Sequence, residues 1–316
     1  MSTQKISVVL PVFNGQQYLS EAIDSVLTQE YTNFEFLICN DASTDKSVEI
    51  IKSKEDARIQ FIENHTNQGL FKTLNRLIQR SRGEFVHLWS HDDIMKPQCL
   101  KTKIKFFQSH PYVGFCYCAF DTIDKFGKLI AVAKKETMPT VVSQELARQL
   151  LAYHGSIPGN IANVMIKKSV LDELGLFRED MQQAGDFEMW ARIVKKYPIG
   201  VIQEPLLYLR SHRNQLCRRK GAGRILINEH KEIFTELMRQ LPPEIAEYVE
   251  RYRKWYDHIR YTHYMIRSFL SGDFQIVKET YRELCQIKNP FVALATWFIT
   301  VNGRLFKKKP KFYLSA

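Results

Sequence analysis

The sequence predicts an α/β protein with a mixed, mostly parallel sheet, helices on both faces of the sheet, and a helical extension at the C-terminal end. Short apolar runs alternate with amphipathic segments over the first hundred residues, and clusters of polar residues follow several of these runs. Strands that alternate with helices in this way form parallel sheets. A long stretch of helical periodicity after residue 224 predicts the extension.

The N-terminal elements follow from hydrophobic periodicity. Short apolar runs rich in β-branched and aromatic residues are typical of buried strands, whereas apolar residues three or four positions apart are typical of helices. The predicted strands are Ile6–Val12, Phe34–Cys39, Ile59–Ile62 and Phe85–Trp89. The predicted helices are Tyr18–Gln29, Ser47–Lys54, which the capping run STDKS begins, and Leu70–Arg80.

Beyond residue 110 the pattern is less regular. We predict strands at Val113–Phe120 and Ala162–Ile166 and helices at Gln144–Ala152, Ser169–Leu174, 186–196 and, in most of its length, 224–285. These elements indicate a main domain over residues 1–216, with halves at 1–110 and 111–216, and a basic extension over residues 217–316.

Charge is distributed unevenly along the chain. Residues 1–216 contain 26 Lys and Arg against 24 Asp and Glu, whereas residues 217–316 contain 19 against 10. The extension therefore carries most of the net charge of +11, which favours contact with a polyanion or an anionic membrane surface. Because the extension has no nucleic-acid recognition motif, we do not expect nucleic acid to be a partner.

Composition restricts the remaining classes. The six cysteines form no CxxC pair, so neither a zinc site nor a disulfide framework is indicated. No apolar run approaches the roughly 18 residues that cross a bilayer, and the first residues lack a signal-peptide pattern. We therefore expect a cytoplasmic protein.

Polar clusters follow three of the predicted strands: residues 11–15, residues 40–45 and residues 90–93. In such sheets ligands bind beyond the carboxyl ends of the strands. Asp41 either builds a turn and caps the next helix or accepts a hydrogen bond from a nucleobase or ribose, with Phe13 offering an apolar face. Its sequence context alone does not separate the two.

Two further positions carry carboxylates that could do chemistry. Adjacent Asp92 and Asp93 are either solvated turn residues or ligands of Mg²⁺ or Mn²⁺, which take one or two oxygens from protein and the rest from phosphates and water. Asp186, after Ala184-Gly185, is either an N-cap or a general base held at a helix start.

Taken together, these stretches resemble the family-2 glycosyltransferases with a GT-A fold, over residues 5 to about 212. The matching stretches are ISVVLPVFNGQQYLSEAIDSVLTQEYTNFEFLICNDASTDKS, NQGLFKTLNRLI, SRGEFVHLWSHDDIMKP, IKKSVLDELGLF and GDFEMWARI. The resemblance implies a bacterial, non-processive enzyme that moves one sugar with inversion from a nucleotide-sugar to a glycan or lipid-linked acceptor in cell-surface polysaccharide, lipopolysaccharide or other glycan synthesis. An acidic acceptor in the base pocket suits the imide N–H of uracil or thymine and, nearly as well, the N1–H of guanine, so UDP-sugars are mildly preferred.

The resemblance also implies roles for individual residues. Asp186 corresponds to the catalytic base, Asp92 to the ligand of a divalent cation, Mn²⁺ or Mg²⁺, and His212 and Asp93 to further candidate ligands. The expected nucleotide-sugar contacts are Pro11, Phe13, Asn14, Asn40, Asp41, Lys72, Asn75, Ser90, His91, Asp92 and Asp93. Gly159, Asn160 and Trp190 are placed on the acceptor side, where residues 137–159 are the candidate wall.

The sequence departs from the family pattern at Asn40 and Ser90, where Asp is usual. These changes leave open an alternative function, a catalytically weak nucleotide- or glycan-binding module of the same fold. At the C-terminal end, the stretch FVALATWFITVNGRLFKKKPKFYL combines aromatic residues with lysines. It is either an anchor for the inner face of the cell membrane or part of a packed helical subdomain.

Overall fold

A computed structural model describes residues 4–133, 138–212, 215, 222–270, 272, 274–287, 289 and 291–295. Ten strands in these residues form one sheet. They are β1 (Ile6–Val12), β2 (Phe34–Asn40), β3 (Ile59–Glu63), β4 (Phe85–Leu88), β5 (Ile94–Met95), β6 (Phe115–Ile123), β7 (Leu129–Ala131), β8 (Val141–Val142), β9 (Val164–Lys167) and β10 (Ile199–Arg210).

The helices lie between and after these strands. They are α1 (Leu19–Leu27), α2 (Ser47–Lys52), α3 (Leu70–Arg80), α4 (Cys99–Ser109), α5 (Gln144–His154), α6 (Lys168–Leu174), α7 (Gly185–Ile193), α8 (Ala222–Met238), α9 (Pro243–Leu270) and α10 (Phe274–Ile287). A short 3-10 helix covers Ile161–Asn163.

The sheet has a parallel half and a mixed half. Its order is β3-β2-β1-β4-β9-β6-β10-β5, with β7 beside β6 and β8 beside β10. Strands β3, β2, β1 and β4 are parallel, β9 is antiparallel to both of its neighbours, and β10 is parallel to β6. The carboxyl ends of β1, β2 and β4 therefore share one edge, where the predicted polar loops collect.

Helices cover both faces of the sheet, as the sequence predicts. In β1, Val9 faces the core that includes α3, α5 and α7, whereas Val8 and Leu10 face the core that includes α1 and α4. Because successive side chains of a strand point to opposite faces, each central strand contributes to both cores. Such near-continuous apolar strands are typical of parallel sheets that are buried on both faces.

Most predicted elements are confirmed, and their ends shift by a few residues. Two long elements have no counterpart among the predictions: α4 and β10. In α4 lysines interrupt the apolar stripe, yet Lys103 is fully buried and donates to the carbonyl oxygen of Asn163 at 2.7 Å. In β10 Pro205 breaks the strand pattern, and the register shifts on both sides of it.

The first helices of the extension pack against the main domain. Phe234 and Leu237 of α8 and Val249 of α9 belong to the same core as Phe187 of α7. The boundary at residue 216 stays a prediction, and this shared core argues for treating α8 as part of the main domain. In the described part of the chain, no helix has the length and apolar character to span a membrane. Residues 296–316, which include most of the predicted anchor, lie outside the described residues.

Candidate active site

Hydrogen bonds fix two neighbouring loops at the carboxyl edge of the sheet. The Asn14 amide donates to Ser43 Oγ at 3.0 Å, and the Thr44 amide donates to Asn14 Oδ1 at 2.8 Å. Asn14 and Ala42 have positive φ angles of 53° and 58°. A non-glycine residue in this region costs on the order of 1–3 kcal/mol, so the interloop bonds hold both loops in a strained shape.

Asp41, at the end of β2, is buried and already has three hydrogen-bond donors. Its carboxylate accepts from Asn64 Nδ2 at 2.7 Å, from the Gln68 amide at 2.8 Å and from the Gly69 amide at 2.9 Å. It therefore joins β2 to the segment that leads into α3, which supports the turn-forming interpretation. The predicted contact of Asp41 with a nucleobase stays a prediction.

The other predicted residues of this edge lie close by. Asn40 is buried, and its Oδ1 accepts from the Ser43 amide at 3.2 Å. Pro11 is buried in β1, and Phe13 is partly exposed after the end of that strand. A side chain at Gly15 would collide with the His91 ring, since a Cβ there would lie 2.8 Å from His91 Cδ2. His91 thus packs directly under the loop that follows β1.

Asp92 and His212 form the polar centre of the site. Asp92 Oδ2 and His212 Nε2 are 2.8 Å apart, and both side chains are largely buried, with exposed fractions of 13% and 11%. Ser90 Oγ donates to the other oxygen, Asp92 Oδ1. Ser90 therefore orients the carboxylate, although it carries no charge of its own.

The surroundings of Asp92 keep it ionised. Burial acts to raise the pKa of its carboxyl, but the hydrogen bonds from His212 and Ser90 and the charge of His91 together hold the pKa below its usual range. Burial lowers the pKa of His91, with the neighbouring His212 acting in the same direction. Asp92 and His212 thus place one carboxylate oxygen and one imidazole nitrogen side by side, both of which can be metal ligands.

Asp93 points away from this centre. It is buried, and its Oδ1 accepts from the Arg210 amide at 2.8 Å. Burial and the negative charge of Asp92 raise the pKa of Asp93 well above its usual range. A carboxyl that is buried and already accepts a backbone hydrogen bond is a poor cation ligand, so the geometry gives no support to the predicted metal-binding role of Asp93.

Arg210 is a functional candidate that the sequence analysis missed. Its Nε donates to the Asp92 carbonyl oxygen at 3.0 Å, and its guanidinium lies 4.5 Å from the ring centre of Tyr18 and bonds Glu21. The Tyr18 ring in turn lies 5.1 Å from the His212 ring. Recognising β10 despite Pro205 would have placed Arg210 at the end of a strand beside Asp92.

The donor set at this centre fits a divalent cation that is shared with phosphates. No group of three or more His, Cys, Asp and Glu side chains suited to a metal occurs among the described residues. Asp92 and His212 together offer two ligands, and Mg²⁺ or Mn²⁺ usually takes only one or two carboxylates from protein, leaving positions for phosphate and water. The site therefore suits a cation that arrives with a diphosphate.

Asp186 lies in the first turn of α7, where the sequence predicts it. Gly185 contacts Phe71 in the first turn of α3 so closely that a Cβ at residue 185 would lie 2.7 Å from the Phe71 ring. This contact places Asp186 near the carboxyl edge of the sheet, since α3 begins beside Asp41. Burial raises the pKa of Asp186 to about 6, against the opposing effect of the amides of Phe187 and Asp186.

Two residues that are predicted to bind the donor lie on α3. Lys72 is exposed on this helix. Asn75 is buried, donates to the Phe177 carbonyl oxygen at 2.8 Å and accepts from the Phe177 amide at 3.0 Å. These bonds give Asn75 a structural role, because they hold the segment that leads towards α7.

Among the predicted acceptor-side residues, Gly159 has a φ of 73°, and Asn160 caps the following turn by accepting from the Ala162 amide at 2.8 Å. Trp190 is fully buried, 4.8 Å from the Phe115 ring and 6.4 Å from the Phe177 ring. A core tryptophan cannot line an acceptor wall, so the structure does not support its predicted role. The predicted wall, residues 137–159, contains strand β8, helix α5 and the loop that follows it, and of these residues only residue 137 lies outside the described part of the chain.

Comparison with known proteins identifies the family. Residues 7–174 match the family model described as glycosyl transferase family 2. The chain belongs to this family. The matched region includes the three loops at the carboxyl edge, with Asp41 and Asp92, and ends before Asp186, so the assignment of the base rests on the geometry of α7.

Several relatives of this family-2 chain carry the name glycosyltransferase. A putative glycosyltransferase, EpsE, of Bacillus subtilis is 26% identical over 255 residues, which cover 78% of this chain and 87% of EpsE. Two uncharacterized glycosyltransferases, from Rickettsia felis and Rickettsia typhi, are 27% and 28% identical over 77% and 66% of this chain. The matches span only 39% and 65% of the lengths of these two relatives.

Solved structures show that the fold is that of GT-A glycosyltransferases. S. aureus TarS 1–349 in complex with UDP-GlcNAc superposes with a TM-score of 0.59 at 18% identity, covering 88% of this chain and 92% of that one. The mannosyltransferase PcManGT from Pyrobaculum calidifontis, in complex with GDP-Man and Mn²⁺, gives 0.58 at 17% identity, covering 95% and 81%. The predicted fold class is thereby confirmed.

The raised pKa of Asp186 makes a prediction about stability. Its carboxyl has a pKa of about 6 in the folded protein but about 3.9 in an unfolded chain, so ionisation destabilises the folded state as the pH rises through this interval. We expect Asp186→Asn to gain stability relative to the unmutated protein between about pH 4 and pH 7. Urea unfolding at several pH values measures the difference. A difference that stays constant with pH would contradict the raised pKa.

Proposed function

We propose that this family-2 glycosyltransferase moves one sugar from a nucleotide-sugar to a hydroxyl of a glycan or lipid-linked acceptor, with inversion at the anomeric carbon. The observation that carries the proposal is a partly buried carboxylate of raised pKa, Asp186, on the side of the sheet where Asp92 and His212 form a site for a cation and a diphosphate. Two carboxylates in such different surroundings suit two different tasks.

The donor would bind across the carboxyl edge of the sheet. The loop after β1 and the loop after β2 are already joined through Asn14 and Ser43, so the surface proposed to hold the nucleoside needs little rearrangement. The partly exposed ring of Phe13 supplies an apolar surface for the base. We expect a uracil nucleotide, since the imide N–H of uracil can donate to the one remaining acceptor site of the Asp41 carboxylate, on Oδ2. The structure of TarS contains UDP-GlcNAc and that of PcManGT contains GDP-Man, so the donors to be tested include both a UDP-sugar and a GDP-sugar.

In the reaction, Asp186 takes the proton of the acceptor hydroxyl while the hydroxyl oxygen bonds to the anomeric carbon. The bond from that carbon to the diphosphate breaks, and the nucleoside diphosphate leaves with the electron pair. Asp92 and His212 would hold a divalent cation, Mn²⁺ or Mg²⁺, which offsets the charge that develops on the leaving diphosphate. Ser90 holds the Asp92 carboxylate through one hydrogen bond, and Arg210 holds the Asp92 backbone through another.

The carboxylate of Asp186 should be essential for turnover but not for donor binding. General-base catalysis contributes about 10² to 10⁴ in rate, so we expect Asp186→Asn to lower kcat by about this factor while the thermal shift caused by the donor is kept. A panel of nucleotide-sugars that includes UDP-GlcNAc and GDP-mannose, with product analysis by mass spectrometry, measures both. Glu188→Gln, in the same turn of α7, is the matched control and should remain active.

Normal turnover in Asp186→Asn would overturn the assignment of the base. The alternative function, a catalytically weak binding module, is suggested by Asn40 and Ser90 in place of the usual aspartates. It predicts a donor-induced thermal shift in the unmutated protein without formation of any product or hydrolysis of the donor.

Removal of the Asp92 carboxylate should remove the effect of the cation. Ligands that bind only the folded state stabilise it, by about 2.7 kcal/mol at a concentration of 100 times Kd. We expect UDP with Mn²⁺ to raise the Tm of the unmutated protein more than UDP alone, and this added increment to vanish in Asp92→Asn. Glu204→Gln, at an exposed residue, is the control and should keep the added increase in Tm. An unchanged increment in Asp92→Asn would place the cation elsewhere.

A hairpin beside the site fits contact with an anionic membrane surface. Residues 125–132 are all exposed, and the exposed fraction is 81% for Phe126, 56% for Ile130 and 65% for Val132. Lys125 and Lys128 are the only charged residues of this run. Exposed apolar residues next to lysines are typical of segments at a membrane interface. Arg210 bonds the carbonyl oxygen of Asp124 at the base of the hairpin, so membrane contact here would bring a lipid-linked acceptor close to Asp92.

Vesicle flotation tests this surface. We expect the protein to float with vesicles of phosphatidylcholine and phosphatidylglycerol but not with phosphatidylcholine alone, and the double change Phe126→Ser with Ile130→Ser to reduce flotation severalfold. Tyr112→Ser, another exposed aromatic change, is the control. Flotation that survives the double change but is lost on deletion of residues 288–316 would assign the contact to the C-terminal stretch and contradict the hairpin.

A further inference from the structure

A carboxylate from the extension reaches the segment that precedes the proposed base. Glu229, in the second turn of α8, accepts three hydrogen bonds from consecutive backbone amides: Gln182 at 2.6 Å, Gln183 at 3.0 Å and Ala184 at 2.6 Å. No other carboxylate in the described residues accepts three consecutive amides in this way. The arrangement therefore fixes the backbone immediately before Gly185 and Asp186.

This contact lies immediately before a helix start that has a poor N-cap residue. Ala184 occupies the N-cap position of α7, and its side chain has no group that could cap the helix. Alanine is among the poorest N-cap residues, and the free amides at a helix start favour a nearby negative charge. Glu229 supplies that charge from a different helix, so the position of α7 depends on a residue that lies more than forty positions later in the sequence.

Other contacts between α7 and α8 keep Glu229 in place. The Phe187 ring lies 5.2 Å from both the His230 ring and the Phe234 ring. Glu229 also acts on the base itself, because its negative charge adds to burial in raising the pKa of Asp186. The remaining charged groups nearby pair with one another: Arg178 with Asp180 and Glu232, Arg192 with Glu188, and Lys195 with Glu236.

We propose that Glu229 is a positioning residue for the transfer reaction, which holds residues 182–184 so that Asp186 meets the acceptor hydroxyl. The extension is then a part of the active site and not an independent appendage. This inference rests on the proposed function, because it assigns to Glu229 a role that acts through Asp186.

Kinetics of Glu229 variants test the inference. Glu229→Gln keeps the shape of the side chain but loses its charge and one acceptor oxygen. Since misplacing a catalytic group by about 1 Å can cost about 10² in rate, we expect kcat to fall about tenfold or more with little change in the KM of the donor. The acidic limb of the kcat/KM profile should also move to lower pH, because the charge that raises the pKa of Asp186 is gone. Glu236→Gln, two turns further along α8, is the matched control and should change neither quantity.

A double-mutant comparison separates this inference from the proposed function. Asp186→Asn should raise the urea midpoint of unfolding at pH 7. We expect this increase to be smaller when Glu229→Gln is also present than when it is made in the unmutated protein. This readout requires no activity, so it holds even if Asp186 proves not to be the base. The inference would be overturned if the effects of the two substitutions on the urea midpoint simply add, and if Glu229→Gln leaves kcat and the pH profile unchanged.

Discussion

The carboxylate of Asp41 sets the geometry on which the rest of the site depends. It binds the amides of Gln68 and Gly69 and thereby fixes where α3 begins. The first turn of α3 carries Phe71, against which Gly185 packs with no room for a side chain. The end of β2 is thus connected to Asp186 through three contacts across the carboxyl edge. A residue that first suggests recognition of a base also determines the position of the proposed catalytic group.

The environment shifts the pKa values of three carboxyls at this edge of the sheet in two opposite directions. Asp92 accepts hydrogen bonds from Ser90 and His212 and keeps a lowered pKa, whereas burial raises the pKa of Asp93 and Asp186. Only Asp92 is therefore suited to bind a cation over a wide pH range. Burial raises the pKa of Asp186 to about 6, near the neutral pH at which a general base is most effective. Differences in burial and hydrogen bonding, and not residue type, separate these roles.

The sequence predicts the fold better than the details of the site. The parallel half, from β1 to β4, follows from apolar runs and polar loops, and the family assignment confirms it. Trp190 and Asn75 show why contacts are harder to predict: motif position places them near the site, but tertiary packing buries both. Arg210 was missed because Pro205 hides the strand that carries it, whereas Glu229 has no local signal, because it acts on a segment that is distant in sequence.

The irregularity around Pro205 has a consequence for the orientation of the site. Between Ile202 and Leu207 the strand β10 advances by five residues, while its partner β6 advances only by two, from Cys118 to Phe120. The surplus is an odd number, and side chains alternate between the two faces of a strand, so the surplus inverts the alternation downstream. Pro205, which obscures the strand pattern of β10 in the sequence, lies in this bulge. The bulge therefore determines towards which face of the sheet Arg210 points. Deletion of one residue there would leave an even surplus, so the side chains of β10 after the bulge would point to the opposite faces of the sheet.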